Sequence, residues 1–189
     1  MINNTLQHVK IDLERDKSYI LERHCQINYV CDCPWARKIP YEEYRANWFS
    51  NEGQQKGFLS ALSESIKDPR TIADIIKTSP DKKIESDQKT ESNQKAESAE
   101  IVGYLWVPFH GDDPDFIWAD VQDIYVEEAY RGTGIAAYLM DYAEKWAKSH
   151  GAKVIRSGTG CGNISSQKLH QKMGYYQYRF EYEKVLKED

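Results

Sequence analysis

The sequence predicts a single α/β domain, a mixed central sheet flanked by helices. Three observations carry that prediction. Residues 101–182 run strand, strand, helix, strand, helix, strand, and their hydrophobic period switches between 2 and 3.6. The helical stretches carry start and stop residues: Asn163 ahead of one, Gly151 and Gly174 behind the two apolar stripes. Finally, 189 residues with 40% hydrophobic and 29% charged side chains suffice for one packed core and are short for two domains.

In chain order, Val9, Ile11 and Leu13 alternate and predict a first strand over 8–13. Tyr19, Ile20, Ile27 and Val30 predict an amphipathic helix with Asp16 as its cap. Pro40 opens a second helix over 41–49, with Tyr41, Tyr44, Trp48 and Phe49 on one stripe. Phe58, Leu59, Leu62 and Ile66 mark a third, ended by Asp68-Pro69, and Ile72, Ile75 and Ile76 a short fourth. Residues 101–109 read as a strand, Gly111-Asp112-Asp113-Pro114 as a turn, and 116–126 as a second strand. A tight glycine loop spans 131–134. Ile135, Tyr138, Leu139, Tyr142 and Trp146 then recur at helical spacing. A short strand over 153–156 precedes the helix that Asn163 caps, which runs to about Lys172. Tyr176, Tyr178, Phe180 and Tyr182 alternate as a last strand.

Residues 79–100 stand apart. They are almost wholly Lys, Glu, Asp, Ser, Gln and Asn, with a degenerate six-residue repeat (SDQKTE, then SNQKAE) and Ile84 as the one large apolar side chain. Such a segment cannot offset its ordering entropy by burial, so it reads as a flexible polar insertion. It separates a helix-rich region, 1–78, from a second region, 101–189.

Lys plus Arg number 25 and Asp plus Glu 30, a net charge of −5. An acidic chain is a poor fit for a nucleic-acid backbone, so no nucleic acid is expected. The longest nearly apolar run, 101–109, is too short for a membrane span. The opening residues lack a basic stretch followed by an apolar core, so no signal peptide is expected. The four cysteines, Cys25, Cys31, Cys33 and Cys161, read as reduced thiols of a cytoplasmic protein. The cluster of Cys25, Cys31 and Cys33 lacks a fourth ligand and the usual paired spacing, so no metal site is expected.

The most informative residues are Arg131-Gly132-Thr133-Gly134-Ile135-Ala136, between a strand and a helix. The first N–H groups of a helix have no intrahelical partner, and the helix dipole is positive there. Small residues let a diphosphate approach those groups, and Arg131 adds a charge-assisted donor. The loop is not a Walker loop, since no Gly-Lys-Ser/Thr follows, and it lacks the dinucleotide fingerprint. On its own it reads equally as an anion site or as a turn that lets strand and helix pack.

Its context resembles the acyl-CoA signature of the GNAT superfamily of N-acetyltransferases. Arg131, Gly134 and Ala136 fill the pattern Arg/Gln-x-x-Gly-x-Gly/Ala after a strand. Asn163, Ser166, Leu169 and Gly174-Tyr175 fill a second pattern of asparagine, helix and small-turn-aromatic. The resemblance covers about residues 100–182 and implies the GNAT fold, with 1–78 on the acceptor side and 101–189 as the acyl-CoA-binding core. It implies that the pyrophosphate of acetyl-CoA sits on the amides of Arg131, Gly132, Thr133, Gly134, Ile135 and Ala136. The backbone of Ile124, Tyr125 and Val126 would pair with the pantetheine arm, and Asn163 and Ser166 would lie beside it.

Attack of an amine on a thioester needs a base, an oxyanion donor and help for the departing thiolate. The Val126 amide is the expected oxyanion donor. Asp120 matches the position of a catalytic glutamate in several relatives, with Asp123 as its competitor. Period-2 alternation puts Asp120, Gln122 and Ile124 on one face and Asp123 on the other. Where many relatives carry a tyrosine acid, this sequence has His170. Trp35, Tyr41, Tyr44, Trp48 and Phe49, with Trp106, Phe109 and Trp118 opposite, are candidate walls of an acceptor cup.

The resemblance implies an N-acetyltransferase that moves an acetyl group from acetyl-CoA to a primary amine, expected on a small molecule, by direct transfer. Two other readings stay open: a protein lysine or N-terminal acetyltransferase, and a non-catalytic acyl-CoA-binding sensor module. No membrane partner is expected, and a homodimer is the expectation held for its assembly.

Overall fold

The computed structural model describes residues 6–31, 39–79, 99–182 and 184. Among them lie seven strands in two sheets, and five α-helices. The elements are β1 (Leu6–Lys10), α1 (Leu13–Cys31), α2 (Tyr41–Ser50), α3 (Glu52–Ser65), β2 (Ile72–Thr78), β3 (Ile101–Val107), β4 (Phe109–His110), β5 (Trp118–Val121), β6 (Asp123–Val126), α4 (Ile135–Ser149), β7 (Val154–Ser157) and α5 (Ile164–Lys172). One sheet is antiparallel, in the order β1-β2-β3-β6. The other has the order β4-β5-β7, and its β5–β7 pair is parallel.

The first sheet has a core on each face. On one side α4 lays Ile135, Leu139, Met140, Ala143 and Ala147 against Ile72, Ile76, Val102 and Leu105. On the other, Ile20, Leu21 and Cys25 of α1 with Trp48, Phe58 and Leu62 cover Ala73, Ile75 and Tyr104. Burial of apolar area on both faces makes this sheet the rigid platform of the molecule.

Four expectations are corrected by this arrangement. Residues 72–76 are a central strand, not a helix. Strand β2 is buried on both faces, so it shows no polar alternation, and its isoleucines at 72, 75 and 76 mimic helical spacing. Helix α1 is capped by Asp12, whose Oδ1 accepts from the N–H groups of Glu14 and Arg15. Asp16 lies inside the helix and returns a bond to the Asp12 N–H. The expected strand over 116–126 is two strands in different sheets. The chain kinks at Gln122, whose N–H meets the carbonyls of Asp120 and Trp106. Residues 176–182 form no strand, and Tyr176, Tyr178, Phe180 and Tyr182 are exposed. Alternation sorts side chains onto faces but supplies no partner for the backbone.

The polar insertion falls outside the described residues between 80 and 98. The residues that flank it meet: the Thr78 N–H donates to the Glu100 carbonyl at 2.9 Å, at the end of the β2–β3 pair.

Candidate active site

Among the described residues, strands β6 and β7 are the edge strands of their sheets, and both line one long cleft. The Glu127 N–H donates to Val102 at 2.8 Å, and β6 keeps the same register, Tyr125 opposite Tyr104. Antiparallel alternation therefore turns the N–H and C=O groups of Tyr125 toward β3 and those of Ile124 and Val126 toward the cleft. The Val126 carbonyl accepts from Arg131 Nε at 3.2 Å. Arg131 Nη2 also donates to the Tyr125 hydroxyl, which in turn donates to Gln26 Oε1 of α1 at 2.8 Å. The Tyr125 ring lies between the guanidinium groups of Arg23 and Arg131, centred 5.1 and 5.5 Å away.

Beyond β6 the loop turns through Gly132 at φ +77° and Gly134 at φ +93°, a region costly for any side chain. Gly134 is the N-cap of α4 and offers no side-chain oxygen, and the first turn of α4 carries no acidic residue. The leading amides of α4 are therefore left for an outside acceptor. Thr133 is set apart: its hydroxyl donates back to the Tyr130 carbonyl at 2.6 Å, and it does not line the cleft.

The opposite end is built by α5. Asn163 Oδ1 accepts from the Ser166 N–H at 3.3 Å, while its Nδ2 reaches the Cys31 sulfur at the end of α1. The His170 Nδ1–H donates to the Ser166 carbonyl at 2.7 Å. A proton on Nδ1 leaves Nε2 as the only nitrogen that can act on a ligand. Nε2 is buried without a hydrogen-bond partner among the described residues, as are the Tyr175 hydroxyl and a Glu144 oxygen. The rings of His170 and Tyr175 meet edge to face at 5.3 Å. Burial, and then the Glu144 carboxylate, raise the Tyr175 phenol above its ordinary pKa.

The two candidate carboxylates differ in state. Asp123 is buried and bonded to the Tyr104 hydroxyl and to His24 Nδ1. Asp120 is half-buried, lines the cleft and makes no hydrogen bond through its carboxylate to a described residue. Burial raises its pKa, against the opposing pull of His110, Arg156 and Arg179. The expected placement of these two on opposite faces is corrected. Ala119, Val121, Ile124 and Val126 all pack on the α4 side, so the kink at Gln122 reverses the alternation. Asp120 then shares the face of Asp123 and Tyr125.

The structure thus brings Asp120, Ile124, Tyr125, Val126, Arg131, Gly132, Gly134, Ile135, Ala136, Asn163, Ser166 and His170 onto one cleft. The aromatic cup is corrected. Trp48, Trp106 and Phe109 are buried in the cores, Tyr41, Tyr44 and Phe49 pack against them, and Trp118 alone of the named aromatics lines the cleft among the described residues. Trp35 and Cys33 lie outside those residues. Sequence reasoning missed His24, which stands beside Asp123 on the cleft wall. A separation of 99 residues leaves no local signal that could have paired them.

Acetyl-CoA would supply an activated acetyl carbonyl. This chain fits it in three places among the described residues: the uncapped N-terminus of α4, the edge of β6, and the buried, unpartnered His170 Nε2 of α5 with the Tyr175 hydroxyl just beyond it.

Residues 31–175 match the acetyltransferase (GNAT) family. The chain therefore belongs to that family. It is 37% identical over 57 residues to an aminoglycoside N(6')-acetyltransferase type 1 of Serratia marcescens, a match spanning 30% of this chain and 39% of that protein. Its fold is similar to that of YycN from Bacillus subtilis, with a TM-score of 0.61, 19% identity, and 97% of this chain and 100% of that one covered. It is also similar to an aminoglycoside 6'-N-acetyltransferase from Acinetobacter haemolyticus, with a TM-score of 0.53, 14% identity, and 97% and 99% covered. No helix among the described residues is long and apolar enough to cross a membrane.

Proposed function

We propose that the protein is an acetyl-CoA-dependent N-acetyltransferase that acts on a primary amine of a small molecule by direct transfer. The observation that carries this reading is the free backbone edge of β6 running into the glycine loop at the N-terminus of α4. Such an edge accepts an extended amide-bearing arm by strand pairing, and the helix end takes its diphosphate. In this reading Arg131, Gly132, Gly134, Ile135 and Ala136 hold the phosphates, and Thr133 holds the loop. Ile124 and Val126 hold the arm, Tyr125 anchors Arg131, and Asn163 and Ser166 form the far wall.

The Val126 N–H stabilises the charge that develops on the acetyl oxygen. Asp120, with its raised pKa and no competing carboxylate hydrogen bond among the described residues, takes a proton from the incoming ammonium group through water. The departing thiolate takes its proton from the Tyr175 hydroxyl or from His170 Nε2 in the imidazolium form; neither atom has a hydrogen-bond partner among the described residues. The similarity to an aminoglycoside acetyltransferase supports a small polyamine-like acceptor over a protein lysine or N-terminus.

Release of free CoA, measured against a panel of aminoglycosides, polyamines, amino-acid derivatives and lysine peptides, tests this. Turnover on the small amines is expected. Tight acetyl-CoA binding with no turnover on any amine would replace the reading with a sensor module, and turnover on the peptides alone with a protein acetyltransferase.

A further inference from the structure

We propose that His24 is a catalytic residue of this cleft, a proton acceptor for the attacking amine nitrogen, and that Asp123 is its positioning residue. The proposal rests on the acetyltransferase reading above and adds a residue to it.

The ring of His24 is held on three sides. Its Nδ1 lies 2.8 Å from Asp123 Oδ2, and Asp123 is 2% exposed. The Phe58 ring stacks on it at 3.8 Å, and Trp48 meets its edge at 6.1 Å. An ionised carboxylate only accepts hydrogen bonds, and the Tyr104 hydroxyl already donates to the same Asp123 oxygen. With Asp123 as a carboxylate, the proton between the two lies on His24 Nδ1. In the neutral ring the lone pair then sits on Nε2, which faces the amide of Asn28 at 3.1 Å, one helical turn along α1. Among the described residues, the charged and titratable groups bonded to His24 or sharing its Asp123 partner are Asp123 from β6 and Tyr104 from β3. Asn28, Phe58 and Trp48 bring no charge.

Both His24 and Asn28 line the cleft, and Asn28 is only half-buried. Its amide occupies the place where a substrate N–H would donate to Nε2. Asp123 stands three residues before Val126 on the same short strand, about 10 Å along it from the amide assigned to the acetyl oxygen. A buried carboxylate orienting an imidazole whose far nitrogen is covered only by a half-buried amide at the cleft wall is the arrangement of a general base once a substrate N–H replaces that amide.

The chemistry needs a second acceptor. A protonated amine has three N–H bonds and the product amide has one, so two protons leave nitrogen. Asp120 takes the first before attack. The nitrogen lone pair then forms the C–N bond to the thioester carbon, and the nitrogen becomes positive. His24 Nε2 takes the second proton as the C–S bond breaks, and its new charge is balanced by Asp123. The sulfur leaves with the bonding electron pair and picks up one proton, so one proton reaches solvent per turnover.

The test uses the full chain with acetyl-CoA and an aminoglycoside that the wild type acetylates. His24→Gln is expected to lower kcat by about 10²-fold while acetyl-CoA affinity by calorimetry stays within about twofold. His24→Ala is expected to lose as much, and added imidazole to restore about tenfold of it, which a merely structural role would not allow. Asn28→Asp, which sets a carboxylate on Nε2 and keeps the side-chain shape, is expected to lower kcat by at least about tenfold, and it reads the same nitrogen if the His24 variants do not fold. A folded His24→Gln with kcat near wild type, a folded His24→Ala that imidazole does not rescue, or an unaffected Asn28→Asp would each overturn the proposal. Those results leave the acetyltransferase reading standing. A wild type without turnover on any amine would overturn both.

Discussion

Replacing Gly134 by aspartate separates the cofactor loop from a packing turn. Gly134 sits at φ +93° and ψ 0°, so any side chain there meets left-handed strain of about 1–2 kcal/mol. Aspartate tolerates that region better than most residues, which puts the cost at the low end. A carboxylate on the first turn of α4 recovers about 0.3–1 kcal/mol from the helix dipole. The net loss of stability is then about 1 kcal/mol or less, a fall in Tm of roughly 2–4 °C for a chain of this size. The same carboxylate stands where the diphosphate should bind and opposes it by charge. Acetyl-CoA affinity should fall at least tenfold, about 1.4 kcal/mol. Gly134→Ala shares the strain without the charge, so its affinity should stay within about threefold of wild type. Calorimetric titration of acetyl-CoA into each folded variant decides the matter. Equal affinity in wild type and Gly134→Asp would refute the assignment of the loop to the phosphates.

Replacing residues 80–98 with a short Gly/Ser link should leave acetyl-CoA affinity unchanged, because Thr78 and Glu100 already meet at the base of the hairpin; loss of the folded state by circular dichroism would show a structural role for the segment. Asp120→Asn should lower kcat by about 10²-fold. Because burial raises the pKa of Asp120, the wild-type rate should fall with decreasing pH at a higher pH than an ordinary aspartate would give, and that limb should vanish in the variant; an unmoved limb would remove Asp120 from the chemistry. Gly160→Ala should destabilise by about 1–3 kcal/mol, because its Cβ would lie 2.1 Å from the Cys31 carbonyl oxygen, and an unchanged Tm would contradict that contact. Arg15, Arg45 and Arg70 hold Asp16, Glu22 and Asp68 below their ordinary carboxylate pKa values. Their contribution to stability is present above those ordinary values and lost as pH falls through the folded ones, so melting followed from pH 6 to 2 should drop most steeply below about pH 4.

What the sequence determined by itself is the chemistry that sits within one or two turns of its own chain. Helix α4 was legible because its apolar stripe, from Ile135 to Ala147, repeats at the helical period on a single face. The glycine loop was legible because the backbone angles at 132 and 134 demand glycine, and the cap of α5 because Asn163 bonds a residue three positions on. The tertiary structure decided whatever depends on a partner elsewhere in the chain. Strand β2 hid behind helical spacing because sheet neighbours and cores on both faces, not local alternation, make it a strand. The aromatic residues at 176–182 show period 2, yet they form no strand, because a ladder needs a second backbone. One kink at Gln122 placed Asp120 and Asp123 on the same face, a reversal that no side-chain period encodes. Asp123 itself could be read only as a carboxylate; that it holds His24 from 99 residues away is a consequence of packing α1 against β6, which hydrophobic burial drives and no local motif records.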